Sequence, residues 1–125
     1  MGVDLTLYPV EPLLDGYDYE GHPPCNSWSC LEVPRRSNLW DTIRKAGPLP
    51  LNQPLNCYTS KGFQDTTEDA YNSPLEFLPA VKLAKAIRLY YETDKDAGKM
   101  PRQTAGVIAY LSELPAVQKI VLYWH

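Results

Sequence analysis

The residues best suited to hold a metal are His22, Cys25 and Cys30, with Cys57 further along the chain. An imidazole and thiolates are the ligands zinc takes in a tetrahedral site. The spacing His22-x2-Cys25-x4-Cys30 makes one knuckle-like cluster with no second one, Pro23 and Pro24 stiffen its approach, and Cys30 falls in a segment that reads as a strand. Cysteines so placed fit small core hydrophobes better than ligands, so no metal and no other cofactor is expected. The second histidine, His125, is the last residue and reads as the polar end of a strand. The carboxylate pairs Asp15 with Asp18 and Glu68 with Asp69 lie in polar stretches where nothing would bury them and raise a pKa for acid–base work. Nucleophile elbow, P-loop, His-Glu-x-x-His and dinucleotide fingerprints are all missing from the sequence. The chain reads as a non-enzyme.

Binding chemistry is better represented. "DGYDYEGH" interleaves Tyr17 and Tyr19 with Asp15, Asp18 and Glu20, and Tyr58, Phe63 and Tyr71 follow in a later polar stretch. Tyrosine on a loop gives a large contact area at little cost in side-chain entropy and is enriched where proteins meet partners; the same rings also serve to pin a long loop to a core. Arg35 and Arg36 stand just ahead of a short helical pattern, where paired guanidinium groups and free backbone amides suit an anion. Lys82, Lys85, Arg88 and Lys95 recur at helical spacing, ordinarily the sign of a solvated face. Arg88 and Tyr90, with Tyr91, would add charge and a stacking surface if that helix bordered the same cleft.

The whole chain limits these options. With 125 residues, one domain is expected over 1–125. A net charge of −3 disfavours a dedicated nucleic-acid binder, whose affinity comes mainly from phosphate neutralisation. No segment reaches the roughly 20 apolar residues of a membrane span, and the N-terminal residues lack the pattern of a secretory signal. Three cysteines, an odd number, suit a reducing compartment. A cytoplasmic protein is expected.

The elements that must position these residues can be read from periodicity. "VDLTLYPV" alternates Val3, Leu5 and Leu7 against Asp4, Thr6 and Tyr8, the period of a half-buried strand. Residues 11–26 are rich in Pro, Gly and Asp and read as a loop; "SWSCLEV" supplies a second strand. "RRSNLWDTIRKAG" predicts a short helix capped by Ser37, with Leu39, Trp40 and Ile43 inward and Gly47 closing it. Residues 47–72 show no sustained period beyond one short strand at "LNCYTS". Ser73-Pro74-Leu75-Glu76 matches a capping box, which predicts a helix from there to Gly98 with Phe77, Ala80, Val81, Ala84, Ile87 and Tyr91 inward. A further helix begins near Pro101, with Ala105, Ile108 and Leu111 inward, and ends at Pro115. The final six residues, Ile120 to His125, are all apolar or aromatic, which predicts an interior strand beside the first one. The expected fold is a small α+β domain: a sheet with adjacent N- and C-terminal strands, about three helices packed on it, and two long irregular loops.

The start "MGVDLTLYPVE", the middle "RRSNLWDTI" and the end "AYLSELPAVQKIVLYWH" resemble a group of small uncharacterised proteins carried by bacteriophages and prophages. The resemblance implies a viral or prophage origin, a host bacterial cytoplasm as location, and one domain; it transfers no catalytic residues. It also implies an accessory role, such as countering a host component. On that basis a host or viral protein bound through the Tyr-rich acidic loops is the expected partner. The alternative is a small nucleotide-like anion held by Arg35, Arg36 and stacking rings, with a homodimer interface as one setting; a metal-dependent enzyme using His22, Cys25 and Cys30 is the third.

Overall fold

The computed structural model describes residues 2–10, 25–26, 30–59 and 62–125. Its centre is a five-stranded antiparallel sheet in the order β3-β1-β8-β7-β4, built from β1 (Leu5–Pro9), β3 (Leu31–Glu32), β4 (Leu49–Pro50), β7 (Glu76–Pro79) and β8 (Lys119–Trp124). The terminal strands are neighbours, as their patterning predicts: Leu5 pairs with Trp124, Leu7 with Leu122 and Pro9 with Ile120. The ladder continues one pair further, since the Asp4 and His125 amides each donate to the other's carbonyl. With β7 on its other side, β8 has partners along both edges.

Both faces of this sheet are covered, which explains why β8 is almost wholly apolar. Leu5, Leu7, Leu78, Ile120, Leu122 and Trp124 point to one face and pack under three helices, α1 (Leu39–Lys45), α2 (Ala80–Thr93) and α3 (Arg102–Glu113). Val10 and Val121 point to the other and meet Leu51, Leu55 and Leu75, flanked by Tyr8, Phe77 and Tyr123. A strand buried on one face alternates apolar and polar residues, whereas one buried on both loses the alternation.

The structure corrects the expected helix from Ser73. Residues 76–79 are strand β7, and α2 begins only at Ala80, with Pro79 at its N-cap position and no side-chain cap. Proline inside a helix lacks an N–H and clashes with the carbonyl four residues back, costing about 3 kcal/mol; at the entry to α2 it carries no such cost. Phe77 is therefore on the sheet, Val81 is exposed, and the buried face of α2 is Ala80, Leu83, Ala84, Ala86, Ile87 and Tyr90. In α3 the inward residues are Thr104, Val107, Ile108 and Leu111, so Ala105 is exposed. The cap position of α1 is Asn38, in the left-handed region at φ 65, with no side-chain cap bond; Ser37 is not the cap. Gly47 does close that helix at φ 82, a conformation glycine adopts without strain.

The stretch 47–72 is more ordered than its composition suggests. It contains β4 and a hairpin of β5 (Leu55–Thr59) with β6 (Gly62–Thr66), and β2 (Cys25–Asn26) runs parallel to β5. Beyond the hairpin, the buried Asp69 carboxylate accepts from the amides of Tyr71 at 2.8 Å and Ser73 at 3.1 Å. These bonds, and the Asp69 amide donating to the Ser73 carbonyl, bend the chain where a capping box was expected to start a helix. Asp69→Ala leaves two amides without their acceptor and is expected to lower stability by about 1–3 kcal/mol in urea denaturation.

Candidate functional site

The segment from Val33 to Asn38 joins β3 to α1, and three contacts fix it. Arg35 Nε lies 2.8 Å from Asp4 Oδ1 on the chain leading into β1. The phenol of Tyr90, on α2, donates to the Ser37 carbonyl. The Leu39 amide donates to the Arg36 carbonyl at 3.2 Å, so the helix start does not offer all the free amides its sequence suggests. Beside this segment, the Trp40 indole donates from Nε1 to the Val3 carbonyl at 2.7 Å and meets Trp124 edge to face, with centroids 5.7 Å apart. The Arg44 guanidinium lies 4.3 Å above the Trp124 ring, the geometry of a cation–π contact.

Beside these contacts lies an open surface depression of about 390 Å³ lined by Val3, Arg35, Arg36, Ser37, Trp40 and Arg44, comparable in volume to small-molecule sites, about 300–1,000 Å³. Its charge is strongly positive on a chain of net charge −3. Asp4 offsets Arg35, and Asp41 approaches Arg44 only to 3.8 Å. Arg36 has no ion-pair partner among the described residues. Guanidinium groups recognise phosphate or carboxylate oxygens through charge-assisted, often bidentate hydrogen bonds. The arginines owe their proximity to chain geometry: Arg35 and Arg36 are consecutive, and Trp40 and Arg44 are four residues apart on one face of α1.

Of the residues singled out from sequence, Arg35 and Arg36 come together here. Tyr90 does not join them as a stacking ring; it is fully buried in the core, and its contribution is to hold Ser37. Arg88 lies elsewhere, with Nη2 3.2 Å from Ser112 Oγ of α3. Tyr58 and Phe63 are cross-strand partners in the β5–β6 hairpin. Tyr17, Tyr19 and His22 lie outside the described residues. Cys25 pairs with Leu55 through the backbone, Cys30 is an exposed free thiol, and the described residues hold no group of three His, Cys, Asp or Glu side chains able to share a metal ion. Four lining residues, Val3, Ser37, Trp40 and Arg44, were not singled out as binding residues. Trp40 reads as core from its spacing, although it is only partly buried, and Arg44 reads as an ordinary charge near a helix end.

Among the described residues no helix is long and apolar enough to cross a membrane. Comparison with protein-family models, with curated proteins and with solved structures finds no match for the chain.

Proposed function

We propose that this is a binding protein whose ligand is a small, nucleotide-like anion, held in the depression between Val3 and α1 by Arg35, Arg36 and Arg44 against the Trp40 ring. The observation that carries this reading is that three arginines border one depression, with Arg36 unneutralised by any described residue. The lining provides donors, charge and an apolar wall, which are the requirements for holding a ligand. The likeness of the chain ends to phage and prophage proteins supports a setting in which such a protein withdraws an anionic signal from its host. The protein-partner reading rests chiefly on Tyr17 and Tyr19, outside the described residues, so the cavity is the better-supported basis.

A panel of nucleoside monophosphates and cyclic dinucleotides in thermal-shift measurements tests this. A ligand present at 100 times its Kd stabilises the native state by about 2.7 kcal/mol, which for a domain of this size raises Tm by roughly 10 °C. Arg36→Ala, which removes an exposed side chain, is expected to leave the unliganded Tm nearly unchanged and to weaken binding at least tenfold, the effect of losing a charged hydrogen bond of about 1.5–3 kcal/mol. Equal shifts in both proteins, or none with any of these anions, would overturn the proposal.

A further inference from the structure

Arg35 borders a second cavity as well as the first. This one, of about 280 Å³, lies around the end of the sheet and includes Asp4, Glu32, Gln103 and His125 in its lining. Its chemistry is the opposite of the first. Asp4 and Glu32 contribute carboxylates, and among the described residues Asp4 pairs with Arg35 while Glu32 has no ion-pair partner. Gln103 is anchored by its Nε2 donating to the Glu32 carbonyl at 3.0 Å, and the His125 ring by its Nε2 lying 2.8 Å from Thr6 Oγ1. A second anion is disfavoured beside two carboxylates. An ammonium group could pair with Glu32 alone, because Asp4 is already engaged by Arg35. A hydroxyl carries one donor and accepting lone pairs, so it can donate to a carboxylate while accepting from an amide or imidazole.

We infer that the two cavities form one bipartite site, with Arg35 as their shared wall, and that its ligand is a phosphate ester of a polyhydroxylated group, the ribose phosphate portion of a nucleotide. The phosphate lies against Arg35, Arg36 and Arg44, and the hydroxyls reach past Arg35 to Asp4 and Glu32. This inference rests on the anion-binding reading of the first cavity.

The wall itself depends on Gly2. A Cβ at that residue would stand 1.5 Å from Arg35 Nη1 and 2.8 Å from its Cζ, closer than any nonbonded contact allows. The atoms in the way belong to the free end of a flexible side chain, so Gly2→Ala displaces the Arg35 guanidinium rather than the backbone.

Titration calorimetry with inorganic phosphate and with ribose 5-phosphate, on the wild-type protein and on Glu32→Ala, Gly2→Ala and Arg36→Ala, tests the inference. Ribose 5-phosphate is expected to bind wild-type protein at least tenfold more tightly than phosphate. Glu32→Ala, at an exposed edge-strand residue, removes most of that advantage and leaves phosphate affinity unchanged. Gly2→Ala weakens both ligands with the Tm nearly unchanged. Equal affinity of the wild type for the two probes, or an advantage that survives Glu32→Ala, overturns the bipartite site; if Arg36→Ala still weakens binding of both at least tenfold, the anion-binding reading stands. Binding of neither probe overturns the bipartite site, and the anion-binding reading falls with it where the nucleoside monophosphates also fail to raise the Tm.

Discussion

Deletion of Leu122 to His125 is expected to abolish cooperative unfolding. These residues are the second half of the central strand, bonded to β1 on one side and, at Leu122, to β7 on the other, with Ala70 donating to the Trp124 carbonyl beyond. Leu122 is 1% exposed and Trp124 8%. Losing a buried leucine costs about 2–5 kcal/mol and a buried tryptophan about 3–5, and β1 would also lose its ladder partners from Asp4 to Leu7. Against a typical total of about 5–15 kcal/mol, little native state remains. Near-ultraviolet circular dichroism on heating is the direct check: the shortened chain should show no sigmoidal transition, and a sharp melt near the wild-type Tm would refute the central placement of β8. The anion site should fail with it, because Trp124 supports both the Trp40 ring and the Arg44 guanidinium.

That dependence also shows how far the sequence could be read. The terminal strands were legible because Leu5 and Leu7 alternate with polar neighbours while Ile120 to Trp124 do not, a contrast that only a sheet can bury. Of the β5–β6 hairpin, β5 was legible as the short strand at "LNCYTS", whereas β6 was not, since "GFQDT" is largely polar. The misread start of α2 had a wider effect. Counting helical turns from Phe77 places Val81 inward and leaves Tyr90 at the side; counting from Ala80, after Pro79, places Leu83 and Tyr90 inward, as observed, with Tyr91 partly buried against the same core. Half of the candidate site was legible as well. Arg35 and Arg36 are conspicuous as a pair, but Trp40 and Arg44 join them only because α1 packs against β8, a long-range relation that local spacing does not encode.

Tyr90 ties the core to this site, and its substitution should reveal both roles. The ring is fully buried among the residues under the sheet, so Tyr90→Ala is expected to cost about 3–5 kcal/mol. Tyr90→Phe keeps the ring but strips the Ser37 carbonyl of its donor, at about 1–3 kcal/mol. It also loosens the segment that carries Arg35 and Arg36, so ligand affinity should fall several-fold even where the protein is fully folded. Burial, and after it the Asp94 carboxylate, push the Tyr90 phenol above its ordinary pKa, with Arg36 opposing them. A phenol whose pKa is higher folded than unfolded favours the native state in its protonated form. Its contribution is complete below the unfolded value, about 10, and declines as pH rises through the folded value, by at most about 1.4 kcal/mol per pH unit. Tyr90→Phe has no proton to lose, so the stability difference between wild type and Tyr90→Phe should be constant from pH 7 to 9 and narrow above pH 10. Urea denaturation of both proteins across that range measures it; a difference that stays constant or widens above pH 10 would show that this hydroxyl is not the buried donor that holds Ser37 in place.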